Sequence, residues 1–165
     1  MCQWNTVAVL QVDRAHRDDL EEILQIAGAR RQQYVEYQPQ FWRPAQDAVD
    51  RQRAFFASLL GNDGAFFGVA REQGKVFGFA LARMVDAPPV YDLGGPSCVV
   101  DDFAVADPED WSEIGPMLLD AVGKWGAGRG ATQLVAVVAQ LDHAKRTVLK
   151  EFQLTIASEW WVGAL

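Results

Sequence analysis

Only two of the 165 residues are cysteine and two are histidine. Cys2 and Cys98 lie far apart, so they offer neither a disulfide framework nor metal-ligand spacing. No metal site is expected, and the thiol usage suits a reducing compartment. No apolar run approaches the roughly 20 residues that cross a bilayer, and MCQWNTVAVLQVDR lacks a basic leader followed by an apolar core. A membrane is therefore not an expected partner, and a cytoplasmic location is. Positive charge is also scarce: 15 Lys and Arg stand against 22 Asp and Glu, a net charge of -7. A polyanion such as a nucleic acid would be repelled over most approaches, whereas a neutral or cationic small molecule would not. Half of the residues are apolar and only 22% are charged, which excludes disorder and predicts one globular domain over residues 1–165. No repeat or low-complexity tract is present.

The patterning predicts a strand over Trp4 to Val12. A helix follows with Leu20, Ile23, Leu24 and Ala27 as its stripe, and Gly28 sets off a second short helix through Tyr34. Pro44 is placed in the first turn of a third helix that carries Phe55, Phe56, Leu59 and Leu60. Ala65 to Arg71 and Lys75 to Val85 read as a hairpin joined at Glu72-Gln73-Gly74. A Pro- and Gly-rich loop leads to a strand from Cys98 to Val105. An acidic turn then opens a helix whose apolar side holds Leu118, Leu119, Val122 and Trp125. TQLVAVVA, residues 132–139, is nearly all apolar and reads as a strand buried on both faces. Asp142 caps a short helix through Phe152, and Leu154 to Val162 reads as a last strand. The expected fold is mixed α/β, in the order β-α-α-α-β-β-β-α-β-α-β.

Three stretches resemble the GCN5-related N-acetyltransferase (GNAT) superfamily. The hairpin AFFGVAREQGKVFGFALARMV is similar to the family's second and third strands. The family's Gln/Arg-x-x-Gly-x-Gly/Ala helix start aligns with Asp110 to Gly115, where only the last glycine matches. DHAKRTVLKEFQLTIASEW is similar to the Asn-x-x-Ala-x-x-x-Tyr-x-x-x-Gly-Phe ending, with Asp142 at the Asn position, Leu149 at the Tyr position and Gln153-Leu154 in place of Gly-Phe. The resemblance implies an acyl-CoA fold with a degenerate cofactor motif. Acetyl-CoA is then the implied co-substrate, held by backbone groups of Phe103, Ala104 and Val105 and by N–H groups from Ile114, Gly115, Pro116 and Met117.

Acetyl transfer needs a deprotonated amine and a proton for the leaving thiolate. Asp101 and Asp102 are the candidate bases, and strand alternation sends them to opposite faces. Leu149 cannot serve as the acid, for which His143 and Tyr91 are the available replacements. The family's acceptor cleft would be lined here by Tyr34, Tyr37, Phe41 and Trp42 with Glu36, and Tyr91 stands at its lip. Stacking and charge at such a wall suit a small-molecule amine. These rings could equally cover the core edge or a homodimer contact. Asp110 and Glu113 either cap the helix start or oppose a pyrophosphate there. Two functions follow: an acetyltransferase acting on a small amine, or a non-catalytic binding or regulatory module on the same scaffold.

Overall fold

A computed structural model describes residues 9–165. Five strands form one sheet in the order β1-β2-β3-β4-β5: β1 Gln11–Arg14, β2 Ala65–Glu72, β3 Lys75–Val85, β4 Ser97–Val105 and β5 Gln133–Ala136. The first four are antiparallel neighbours, and β5 runs parallel to β4. Helices α1 (Leu20–Tyr37) and α2 (Ala48–Leu59) cover one face; α3 (Trp111–Ala127) and α4 (His143–Glu151) cover the other.

The predicted hairpin forms because Gln73 and Gly74 both take positive φ, 51° and 82°, the two-residue geometry that follows strand twist. Ile23, Phe56, Phe67, Phe79 and Leu81 fill the α1/α2 side of the sheet. Val100, Phe103, Leu118, Leu119, Val122 and Val148 fill the other.

Five expectations are corrected. The first strand occupies Gln11–Arg14, and the part expected over residues 4–8 lies outside the described residues. Gly28 breaks nothing: α1 continues through it, because its missing side chain faces open space and no turn interrupts the hydrogen-bond ladder. Two long helices, preceded by a single 3-10 turn at Arg17–Asp19, therefore stand where three were expected. Pro44 precedes α2 instead of opening it. Lastly, β5 is half-buried and no strand follows α4. Leu134, Ala136 and Val138 pack on the α3/α4 core, while residues 133, 135 and 137 are exposed. The all-apolar run suits a doubly covered strand, but no helix lies over its second face.

Candidate functional site

β4 and β5 pair only from Ser97–Gln133 to Val100–Ala136. β4 continues to Val105 without β5, which opens the sheet over residues 101–105. Parallel strands that part in this way leave backbone groups without a ladder partner, and these groups must be satisfied by something else.

Here the filling is a buried side-chain cluster. The Lys145 Nζ donates to the Phe103 carbonyl at 2.6 Å and to the Tyr34 Oη at 3.3 Å. The Tyr34 hydroxyl donates to Asp142 Oδ2 at 3.0 Å and accepts from Ala139 N at 3.4 Å. The rings of Trp111, Phe103 and Tyr34 surround Nζ, with centroids 5.1, 5.2 and 5.6 Å away. Lys145 is 0% exposed, and burial holds its amine well below the usual lysine range. Arg30 pushes the same way and Asp142 opposes. Burial likewise raises the Tyr34 hydroxyl pKa.

Beside this cluster, between α1 and the end of β4, lies a cleft of about 310 Å³ lined by Arg30, Gln33, Glu36, Ala104, Trp111 and Asp142 among others. Asp142 belongs to both, as it caps α4 by accepting from Lys145 N through Oδ1 at 3.2 Å and holds Tyr34 through Oδ2.

Asp101 and Asp102 do not face opposite sides. The β3/β4 register slips between Leu81 and Ala82, leaving Asp101 as an extra residue, and such a bulge shifts the alternation by one. Val100 and Phe103 consequently share the α3/α4 face, while both carboxylates turn to the α1/α2 side. Asp102 pairs with Arg30 and also accepts from Phe103 N at 3.0 Å. Asp101 pairs with Arg83 beside a depression under α2 that includes Phe55 and Leu59. Neither carboxylate lines the cleft.

Tyr34, Tyr37, Phe41 and Trp42 do come together: Tyr34 lies 5.7 Å from Tyr37 and 5.0 Å from Trp42, and Trp42 lies 4.7 Å from Phe41. Tyr34 is buried behind the cleft instead of lining it. Tyr91 is 66% exposed in the 86–96 loop and is brought to neither cavity, and His143 is exposed on α4.

The cofactor residues expected in the sequence divide differently. Phe103 spends its N–H on Asp102 and its carbonyl on Lys145. Ile114, Gly115, Pro116 and Met117 lie inside α3, past its first turn, and Pro116 has no N–H. A Cβ on Gly115 would stand 2.9 Å from Val148 Cγ1 and 3.2 Å from Trp111 Cε3, so this glycine serves the contact of α3 with α4. At the turn before α3, Asp107 Oδ1 accepts from Glu109 N and the Asp107 carbonyl accepts from Asp110 N. Asp107 is thus the capping acid, and Asp110 makes no cap bond with its side chain. The amides of Glu109 and Asp110 are already bonded, and three further acids with no base at this start disfavour a CoA pyrophosphate.

The sequence matches the acetyltransferase (GNAT) family over residues 27–152. The chain belongs to this GNAT family. Solved structures with the same fold include a predicted acetyltransferase from Clostridium acetobutylicum with acetyl-CoA, 18% identical, covering 94% of this chain and 96% of that one at TM-score 0.69. A mutant of the BH1408 protein from Bacillus halodurans is 13% identical, with coverage of 93% and 98% and TM-score 0.81. An aminoglycoside antibiotic 6′-N-acetyltransferase from Acinetobacter haemolyticus is 11% identical, with coverage of 94% and 97% and TM-score 0.70. No curated protein matches the chain. Within this GNAT domain, no described helix is long and apolar enough to cross a membrane, and no described group of three or more His, Cys, Asp or Glu is placed to hold a metal ion.

Sequence reasoning passed over Lys145 and Arg30. A signal for the first was present: Lys145 shares its helix face with Val148 and Leu149, at spacings of three and four, and both are buried.

Proposed function

We propose that the chain is an acyltransferase acting on a small amine, with the acceptor seated in the cleft between α1 and the end of β4. Asp142 carries the reading: it is a buried carboxylate that lines the cleft and is held in one orientation by Lys145 N and the Tyr34 hydroxyl. Glu36 on the same wall adds a second carboxylate for a cationic amine, and Arg30 is neutralised by Asp102. Asp142 Oδ2 takes the proton from the bound ammonium, which leaves the nitrogen lone pair free to attack. Family membership supports acyl transfer, and the neighbours described as a predicted acetyltransferase with acetyl-CoA and as an aminoglycoside 6′-N-acetyltransferase support acetyl-CoA and an amine as the pair to test.

A second reading, ligand binding without transfer, rests only on the two spent backbone groups of Phe103 and the capped Glu109 amide, and family membership weighs against it. Calorimetry with acetyl-CoA and free CoA at low salt, joined to thiol release with a panel of primary amines, separates the two. Transfer that falls with Asp142→Asn supports the first reading. Binding weaker than about millimolar, roughly -4 kcal/mol, with no thiol release supports the second.

A further inference from the structure

We infer that Asp142, Tyr34 and Lys145 form a proton relay: the first proton that Asp142 takes from the amine passes inward through the Tyr34 hydroxyl and is held on Lys145 Nζ while the acyl group moves. The inference rests on the acyltransferase reading of the same cleft. Its basis is an unbroken chain of three polar atoms. Asp142 Oδ2 lies 3.0 Å from Tyr34 Oη, and Tyr34 Oη lies 3.3 Å from Lys145 Nζ. Of the three, only Asp142 lines the cleft. Lys145 is 0% exposed, so the tyrosine is its route to the cleft.

Each link runs in either direction. With Asp142 ionised, the tyrosine donates to it and the lysine donates to the tyrosine. Once Asp142 holds a proton, rotation of hydrogens alone lets its carboxyl donate to Tyr34 and lets Tyr34 donate to the lone pair of a neutral lysine amine. One concerted shift then returns Asp142 to carboxylate and leaves Lys145 charged, with Tyr34 protonated before and after. Burial raises the tyrosine pKa, which suits a hydroxyl that hands protons on without ionising.

The surroundings of Nζ serve both of its states. Burial and Arg30 on α1 favour the neutral amine that receives the proton. The Phe103 carbonyl on β4 at 2.6 Å, Asp142 Oδ2 at 4.0 Å and the rings of Trp111 on α3, Phe103 and Tyr34 favour the cation once it forms. Arg30 is itself balanced by Asp102.

The relay supplies what a single carboxylate lacks. Two protons leave the attacking nitrogen, one from the ammonium before attack and one as the amide forms. The N–C bond forms, the C–S bond breaks, and the thiolate leaves with that bond's electron pair. With the first proton stored on Lys145, Asp142 is again a carboxylate when the second arrives, and it passes the second to the thiolate. The stored proton returns through Tyr34 and Asp142 to solvent as the product leaves. The acid that Leu149 cannot supply is then Asp142 itself.

The test is solvent exchange of the Lys145 amine in the full chain, with lysine isotopically labelled at Nζ and the signal assigned by its loss in Lys145→Met. Neither acyl donor nor amine is present. Exchange should slow about tenfold or more in Tyr34→Phe, which keeps the ring and loses the hydroxyl, and likewise in Asp142→Asn. A merely structural tyrosine predicts the opposite sign, because its loss loosens the packing and speeds exchange. Unchanged or faster exchange in a variant that keeps the parent's backbone amide protection overturns the proposal, and Asp142→Asn decides it should Tyr34→Phe lose that protection. In a transfer assay, Tyr34→Phe and Lys145→Met should each lower kcat about tenfold or more with the KM for the amine unchanged, and full kcat in both overturns the proposal as well. Absence of transfer by the parent chain defeats the acyltransferase reading, which the exchange measurement, made without substrate, does not depend on.

Discussion

The Lys145 Nζ lies 2.6 Å from the Phe103 carbonyl oxygen, at the place where β4 has already parted from β5. The bond spans α4 and the sheet, so one side chain both closes the opening and satisfies its backbone. If an acyl donor uses that opening, it competes with Lys145 for the same carbonyl. Lys145→Met keeps an apolar stem but gives up the donor, and acetyl-CoA should bind this variant about tenfold or more tightly than the parent by calorimetry. Unchanged affinity places the donor elsewhere.

The same lysine makes stability depend on pH with a definite sign. Its amine is lowered in the folded chain and ordinary in the unfolded one, so the unfolded chain binds more protons between those two values. Stability then rises with pH through that window, by up to about 1.4 kcal/mol per pH unit, and the burial penalty is fully felt below the folded value. Denaturation from neutral pH towards 10 should show the parent gaining on Lys145→Met. A constant difference between the two chains would mean the amine does not titrate abnormally.

Asp102 is bound into structure rather than free for chemistry. Its pair with Arg30 is mostly shielded, with side chains 19% and 16% exposed. Arg30→Met removes the partner and leaves a carboxylate facing the protein with only the Phe103 amide, which should cost about 3 kcal/mol in urea denaturation. Asp101→Asn, whose partner Arg83 is largely exposed, should change stability by less than about 1 kcal/mol and leave any transfer intact.

Much of the architecture was legible because it rests on local rules. The 65–85 hairpin followed from the short Glu72-Gln73-Gly74 connection between apolar runs, and the α4 start followed from Asp142 as a cap. What was not legible depends on partners distant in sequence. The bulge at Asp101 is set by how β3 and β4 register, and it turned a face assignment made from alternation. Lysine ordinarily reads as a solvated residue, so the spacing of Lys145 with Val148 and Leu149 is a weak signal, and its burial depends on β4, α1 and α3 closing around it. Residues 154–162 have a strand's composition, but composition cannot supply the neighbouring strand they need.

Gly115 separates packing from cofactor binding. In a helix, Ala in place of Gly should gain about 1 kcal/mol. Here the added Cβ meets Val148 and the Trp111 ring, and overpacking of this kind costs about 1–3 kcal/mol. Gly115→Ala should therefore be neutral to destabilising in a denaturant titration, and Val148→Ala in the same chain should recover part of the loss. Additive effects would mean that the contact does not govern the site.

Cys98 is buried against the carbonyl of Val122, and burial pushes its thiol up to about 11. In a Cys2→Ser background at pH 8, a disulfide reagent should label the folded chain only slowly, and completely after denaturation. Rapid labelling of the native chain would contradict the burial of Cys98 beneath α3.

Asp142→Asn is the most discriminating change, since Asn can keep the α4 cap by accepting from Lys145 N through Oδ1, while its amide nitrogen stands where Oδ2 accepted from the Tyr34 hydroxyl. It loses the acceptor for the Tyr34 hydroxyl, the charge beside Lys145 and the ability to take up a proton at the cleft. Stability should fall by about 1–3 kcal/mol, which leaves the chain folded, while transfer to an amine falls about 100-fold with the acyl donor's affinity unaltered. The same measurement on Asp101→Asn and Asp102→Asn serves as the contrast. If either of those abolishes transfer in a chain that remains folded, or if Asp142→Asn retains full activity, the base lies on β4 and the assignment to the α4 cap is wrong.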